Sequence, residues 1–307
     1  MAGRIVILGV FVADTAYRAA RQPRMGETIL GRSFALGPGG KGSNQAVAAA
    51  RAGGDAHIVT KLGRDTFAEM ALATWREAGV TPAVTQDAGS YTGAAFIFVD
   101  EASGDNAIIV APGAAGTLTP ADVEAQAALL EGAAVFVTQL EQPMPAAIRA
   151  LEIARAAGVR TILNPAPAAP LEDATLALCD MVTPNESEAE ALTGIAVETL
   201  EDAARAADAL IARGAGAAVI TLGARGVLVH DRSRSVQLPA FEVGPVVETT
   251  GAGDAFTGAF STALAEGRDL VEAARFGCAA ASISVTRPGA AASMPTRAEI
   301  DALLGQS

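Results

Sequence analysis

The chain has 307 residues, 50% of them hydrophobic, with 32 glycines and 15 prolines; that is enough for one large α/β domain, or a core with a small appendage. A net charge of −12 and only 2 histidines argue against a nucleic-acid binder, a zinc site and a Ser-His-Asp triad. No apolar run approaches membrane-spanning length, and the 2 cysteines, Cys179 and Cys278, offer neither a disulfide framework nor metal spacing, which points to a reducing, cytoplasmic setting.

"RIVILGVFV" (Arg4 to Val12) is a short, β-branched apolar run and reads as a first buried strand. It resembles a signal peptide only superficially, since it leads into Asp14. The stretch 13–36 is strand-like with turn residues and carries no helix pattern. "GPGGKG" then runs into "SNQAVAAARAGG", a helix with Ser43 or Asn44 near its start. "HIVTKLG" from His57 is the next buried strand. The stretch 90–110 is again strand-like without a helix. "AAVFVTQL" from Ala133, "RTILN" from Arg160, "DMVTPN" from Asp180 and "AAVITLG" from Ala217 read as further strands. Between them, Met144, Ala147, Ile148 and Leu151 repeat at helical spacing, and Gly158 is placed to stop that helix. Strands alternating with helices imply a largely parallel sheet covered on both faces. The two irregular stretches predict a small separate sheet.

Two glycine patterns invite misreading. "GPGGKG" fits G-x-G-x-x-G, but it follows an irregular stretch where a dinucleotide fingerprint follows a strand. It also fails as a P-loop, because Gly42 follows Lys41 and Ala35 occupies the first glycine position. What remains is a glycine turn that would let a polar ligand approach the backbone, with Lys41 and Asn44 nearby. The second pattern is "VVETTGAGDAFTGAF" (Val246 to Phe260), where Asp254 follows Gly251-Ala252-Gly253 at a predicted helix start. A helix N-terminus offers unpaired N–H groups and partial positive charge. Asp254 there is either a cap or a catalytic carboxylate beside an anion cradle.

Taken with "VTPNESEAEALTG", "TGAAFIFVD", "QLEQP", "ILNPAPA" and "SVTRPGAAASMP", these stretches resemble the ribokinase-like (PfkB) family of sugar kinases over essentially the whole chain. The resemblance implies a three-layer α/β/α core with a mainly parallel sheet, and a small β-sheet lid from the segments 13–36 and 90–110. It implies ATP-dependent phosphorylation of a primary hydroxyl of a small sugar, with D-ribose to D-ribose 5-phosphate the expected reaction. Fructose, 2-keto-3-deoxygluconate and nucleoside substrates stay open, as does a non-catalytic sugar sensor on the same fold.

By the same resemblance Asp254 is the catalytic base, and Gly251, Ala252 and Gly253 form the anion hole. Asp14, Gly40, Lys41, Gly42, Asn44 and Glu141 face the sugar, as does Val12, which stands where an Asn is usual. Asn185, Thr221, Gly223, Gly226, Gly253 and Cys278 face ATP, and Glu188 acts on Mg²⁺ indirectly. Glu248, Thr250, Ser284, Arg287, Gly289 and Ser293 form a K⁺ loop, with Arg287 contributing only its carbonyl and Glu248 standing where Asp is usual. The implied partners are a small sugar and ATP, neither nucleic acid nor membrane, and a second copy of the chain joined through the lid.

Overall fold

The computed structural model describes residues 3–306. Its strands are β1 Arg4–Leu8, β2 Val12–Ala19, β3 Ser33–Gly39, β4 Asp55–Leu62, β5 Thr81–Gln86, β6 Thr92–Asp100, β7 Asn106–Gly113, β8 Val135–Thr138, β9 Arg160–Leu163, β10 Met181–Val182, β11 Ala217–Thr221, β12 Val227–Asp231 and β13 Ser235–Leu238. Its helices are α1 Lys41–Arg51, α2 Thr66–Ala78, α3 Pro120–Glu124, α4 Ala127–Glu131, α5 Met144–Ala156, α6 Asp173–Leu176, α7 Glu186–Thr193, α8 Leu200–Ala212, α9 Ala252–Ala265, α10 Leu270–Ser284 and α11 Arg297–Leu304.

A 9-stranded sheet runs in the order β13-β12-β11-β10-β9-β8-β1-β4-β5. It is parallel from β5 to β11, and β12 and β13 add an antiparallel edge that the alternation of strands and helices did not announce. Successive residues of a strand point to opposite faces, so each strand feeds two cores. Ile5, Ile7, Val135, Val137 and Val219 pack with Phe256 and Phe260 of α9 and Phe276 of α10. Val6, Leu8, Phe136, Leu163 and Ile220 pack with Leu151 of α5 and Leu210 of α8. The helix predicted from Met144 is α5, and Gly158, two residues past its end, takes a positive φ of 74°.

One local expectation is corrected. "RIVILGVFV" is not one strand: β1 stops at Leu8 and β2 starts at Val12. The break lets the backbone at Gly9 meet Gly42, where a Cβ on Gly9 would lie 2.6 Å from the Gly42 Cα. Neither Ser43 nor Asn44 caps α1. The helix starts at Lys41 from Gly40, whose φ is 87° and which supplies no side-chain cap. Ser43 instead accepts a 2.9 Å hydrogen bond from the Trp75 indole.

A second, 4-stranded sheet has the order β3-β2-β6-β7. β2 and β6 are parallel; the other pairs are antiparallel. Register puts Phe34 opposite Tyr17 and Phe96 opposite Ile109, and the Tyr17 and Phe96 rings stand 5.5 Å apart. An apolar stripe therefore crosses all four strands. It is open to solvent: Phe34 is 57% exposed, Tyr17 42%, Phe96 38% and Ile109 68%.

Candidate active site

The backbone before α9 turns on two glycines with different reasons to be glycine. Gly251 has a φ of 80°, and a Cβ there would press to 3.0 Å on that of Ala290. Gly253 has no such strain and nothing within 4 Å of where a Cβ would stand; it faces open space. The Ala252 N–H, one of the amides expected in the anion hole, bonds to the Thr249 carbonyl at 3.2 Å. The N–H groups of Gly253 and Asp254 have no partner among the described residues, as the first turn of a helix requires.

Asp254 does not cap α9. Its side chain turns to α1 and is 6% exposed. Oδ2 accepts from Asn44 Nδ2 and Oδ1 from Gln45 Nε2, both at 3.0 Å. Those bonds depend on close packing of α1 against α9: a Cβ on Gly258 would lie 2.5 Å from the Ala48 Cβ and the Gln45 carbonyl. Gln45 Nε2 also donates to Asn164 Oδ1 at 3.0 Å, and Gln45 Oε1 accepts from Gln139 Nε2. Asn164 Nδ2 in turn donates to the Thr183 carbonyl at 2.8 Å.

Lys41, Asn164, Thr183, Asn185, Glu188, Thr221, Thr249, Gly251, Gly253, Asp254 and Thr257 line a cavity of about 190 Å³. Asn164, Thr183 and Thr221 lie at the carboxyl ends of β9, β10 and β11, the edge where open α/β sheets bind ligands. A larger hollow of about 640 Å³ opens beside Ala134, Arg160, Met181 and Ala217 at the opposite strand ends. The smaller cavity is the one that brings Lys41, Glu188 and Asp254 together.

Its electrostatics centre on one lysine. The Lys41 backbone N–H donates to Glu141 Oε2 at 2.7 Å, seating a carboxylate on the start of α1. Burial works against the Lys41 charge, but Asp254, Glu141 and Glu188 outweigh it and hold the ammonium above its ordinary range. Burial pushes Glu141 up to about 7, with the Lys41 N–H and charge opposing and Asp254 and Asp14 adding to it. Burial also raises Glu188, Asp254 and, to about 6, Asp14. For Asp254 the opposition comes from Lys41 and from the Asn44 and Gln45 hydrogen bonds.

The other expected residues divide into those at the cavity and those away from it. Asn185 and Glu188 both line it, and they also bond reciprocally at 2.8 and 2.9 Å as a capping box for α7. Thr221 is at its wall, while Gly223 and Gly226 form the following turn with φ of 54° and 90°. Gly40 turns the chain into α1, which Gly42 continues against Gly9. Asp14 lies over Gly39, where a Cβ would overlap its carboxylate. Val12 is buried with Val10, Ala95 and Ala115. Cys278 is buried in the core, its thiol pushed up to about 12 by burial, and it is not among the residues lining this cavity.

Glu248 Oε2 accepts the Gly289 N–H at 2.8 Å, tying the turn after α10 to the chain leading into Gly251. The Ser284 and Ser293 hydroxyls donate to the carbonyls of Ala281 and Ala290, and the Arg287 guanidinium pairs with Glu299. Thr250 is exposed. Among the described residues no three His, Cys, Asp or Glu side chains form a metal-binding group, and no helix is long and apolar enough to cross a membrane. Sequence patterns did not single out Gln45, Gln139, Thr183, Thr249 and Thr257. Asn164 and Gln139 stand inside quoted stretches, "RTILN" and "ILNPAPA" for the first and "AAVFVTQL" and "QLEQP" for the second, without being singled out there.

Comparison with known proteins agrees with this fold. The chain is 40% identical to the ribokinase of Haemophilus influenzae, across 96% of both chains. It is 35% identical to the deoxyribokinase of Salmonella typhi, across 95% of both. Its fold matches the structure of Arabidopsis thaliana ribokinase complexed with ribose and ATP with a TM-score of 0.93 and 31% identity, covering 100% of each chain. Residues 3–297 match the pfkB family of carbohydrate kinases. With fold, cavity and sequence in accord, the chain belongs to the pfkB family and is a sugar kinase, transferring phosphate to an alcohol.

Proposed function

We propose that the chain transfers the γ-phosphoryl group of ATP to the 5-hydroxyl of D-ribose. The observation that carries this reading is Asp254: a dry carboxylate, held by two amides, beside the free N–H groups of α9 and the open space over Gly253. Burial keeps Asp254 more basic than an ordinary carboxylate, which suits it to accept the hydroxyl proton as the phosphoryl group arrives. The Gly253 and Asp254 amides, with the α9 dipole, stabilise the charge that develops on the transferred group. Lys41 adds the nearest full positive charge, while Asn44, Glu141 and Asp14 orient the sugar hydroxyls. Thr221, Gly223 and Gly226 support the nucleotide.

Three carboxylates, Asp254, Glu141 and Glu188, surround one lysine, and Asp14 acts on Glu141. Bringing ATP there needs a further cation, and oxygen donors suit Mg²⁺. Asn185 and Glu188 would hold it through water, since Glu188 Oε2 is committed to the Asn185 N–H. When bound, magnesium neutralises phosphate charge. Glu248, with carbonyls of Thr250 and the segment 284–293, would hold K⁺ and so brace the loop that presents the α9 amides. The 4-stranded sheet acts as the lid over the sugar, and a second copy of the chain covers its apolar stripe. Buried free cysteines fit a cytoplasmic setting.

The test is ADP release measured with Mg²⁺ and K⁺ against D-ribose, 2-deoxy-D-ribose, fructose, 2-keto-3-deoxygluconate and nucleosides, with NMR locating the phosphate. Highest kcat/KM for ribose, phosphorylated at O5, is expected. Preference for another member overturns the substrate. Sugar binding with no turnover of any member supports the sensor reading instead.

A further inference from the structure

Gln45 is fully buried and lies 209 residues from Asp254 in the chain, yet its carboxamide meets the carboxylate directly. The direction of each bond in its network is forced. An ionised carboxylate only accepts, so the Gln45 amino group must face Asp254. The same amino group donates to Asn164, which leaves Gln45 Oε1 pointing at the Gln139 amino group. The backbone carbonyl of Gln139 accepts in turn from Gln142 Nε2. Groups on three elements thus fix one rotamer of this α1 side chain: Asp254 on α9, Gln139 after β8 and Asn164 after β9. A buried amide cluster of this kind is a poor way to add stability, because each unpaired polar atom carries a desolvation penalty. Two such atoms are present, Gln139 Oε1 and Gln142 Oε1. What the cluster does supply is a rigid donor at Asp254 Oδ1.

We infer that Gln45 is a positioning residue that pins Asp254 Oδ1 from the interior, with Gln139 orienting Gln45, so that the carboxylate presents a fixed edge to the cavity. The inference rests on Asp254 being the base. Gln45 favours the ionised form of that base and so offsets part of the effect of burial. Other charges facing Asp254 are Lys41 at the start of α1, Glu141 after β8 and Glu188 on α7, with Asp14 on β2 acting on Glu141. Changing Gln45 alters none of them, so a shift in the acid limb reports the amide.

The experiment compares wild type, Gln45→Met, Gln139→Met and Asp254→Asn, with D-ribose and ATP, over the pH dependence of kcat and of KM. Met approximates the length of Gln but cannot donate. For Gln45→Met we expect kcat to fall by about 10- to 100-fold, the scale of a hydrogen bond to a charged group. KM for ribose and ATP should change less than about threefold, and the acid limb should move up by about one pH unit. Gln139→Met should move the limb in the same direction by less, and its limb alone decides the matter if Gln45→Met does not fold. An unmoved acid limb in the folded variants, or a loss confined to KM, overturns the inference. If Asp254→Asn keeps its turnover, the base assignment itself falls. If Asp254→Asn is inactive while Gln45→Met behaves as wild type, only the role of Gln45 falls.

Discussion

The two sheets of this molecule are finished to different degrees. The 9-stranded sheet is buried on both faces, and its rim holds the proposed catalytic constellation, in which Asp254 is bonded to Asn44 and Gln45 within the chain. The 4-stranded sheet leaves Phe34, Tyr17, Phe96 and Ile109 facing solvent as one stripe. An apolar patch of this kind marks an interaction surface. The difference teaches where to expect each kind of damage: substitutions at the rim of the large sheet change chemistry, and substitutions on the small sheet change assembly.

The largest effect expected from breaking that division is at Asp254. Asp254→Asn preserves size and removes the base, so turnover should fall by about 10²- to 10⁴-fold, with ATP binding by calorimetry and thermal midpoint retained. Near-normal turnover would remove Asp254 from the chemistry. Next is Gly253→Val. The side chain fills the open space above the α9 amides without backbone strain, and turnover should drop by about 10²- to 10³-fold, the scale of a lost oxyanion donor. Sugar affinity should persist, and its loss with turnover intact would mean that the space over Gly253 receives something other than phosphate.

On the small sheet, Ile109→Asp should shift the protein from dimer to monomer in sedimentation velocity, with the fold unchanged by circular dichroism. A wild-type protein that is already monomeric at micromolar concentration would show that the stripe has no self-partner. Smaller still is the cation response. Potassium should raise the initial rate several-fold over an organic cation at constant ionic strength, on the order of 1 kcal/mol, and Glu248→Ala should flatten that response. A flat wild-type curve in potassium-free protein would leave Glu248 as a brace for Gly289 alone.

The remaining effect, on stability rather than turnover, concerns Glu141. Burial lifts its folded-state pKa to about 7 from an ordinary value of 4.5. The stability contributed by its protonated form is complete below about pH 4.5 and is lost as the pH rises through 7. Glu141→Gln does not titrate, so its stability relative to wild type should grow between pH 5 and 8, by at most about 3 kcal/mol. Chemical denaturation at the two pH values measures this, and a constant difference would place Glu141 in a wetter setting.

Periodicity made the large sheet legible. β8, β9 and β11 are short apolar runs, and α5 shows its buried face at helical spacing with Gly158 as its stop. Local chemistry also made the start of α9 legible, because glycines and an acid at a helix start restrict what the segment can do. Three features left no such trace. β12 and β13 form an antiparallel edge that composition does not distinguish from another crossover. The break between β1 and β2 depends on Gly9 meeting Gly42, a contact between segments that no local pattern encodes. Gln45, Gln139 and Asn164 meet across 94 and 119 residues of chain; a glutamine in a small-residue helix looks like a solvated position until α9 is packed over it.

The amide cluster under Asp254 has one more consequence, for the path of the proton. Carboxamides hold their hydrogens at neutral pH, so Gln45, Asn164 and Gln139 can grip a carboxylate but cannot conduct a proton away from it. The interior behind Asp254 is an insulator. With Asp254 as the proposed base, a proton taken from the sugar leaves by the face through which the substrates came, once the product has moved aside. Resetting the base is then tied to emptying the cavity, and each catalytic cycle ends at the mouth of the site.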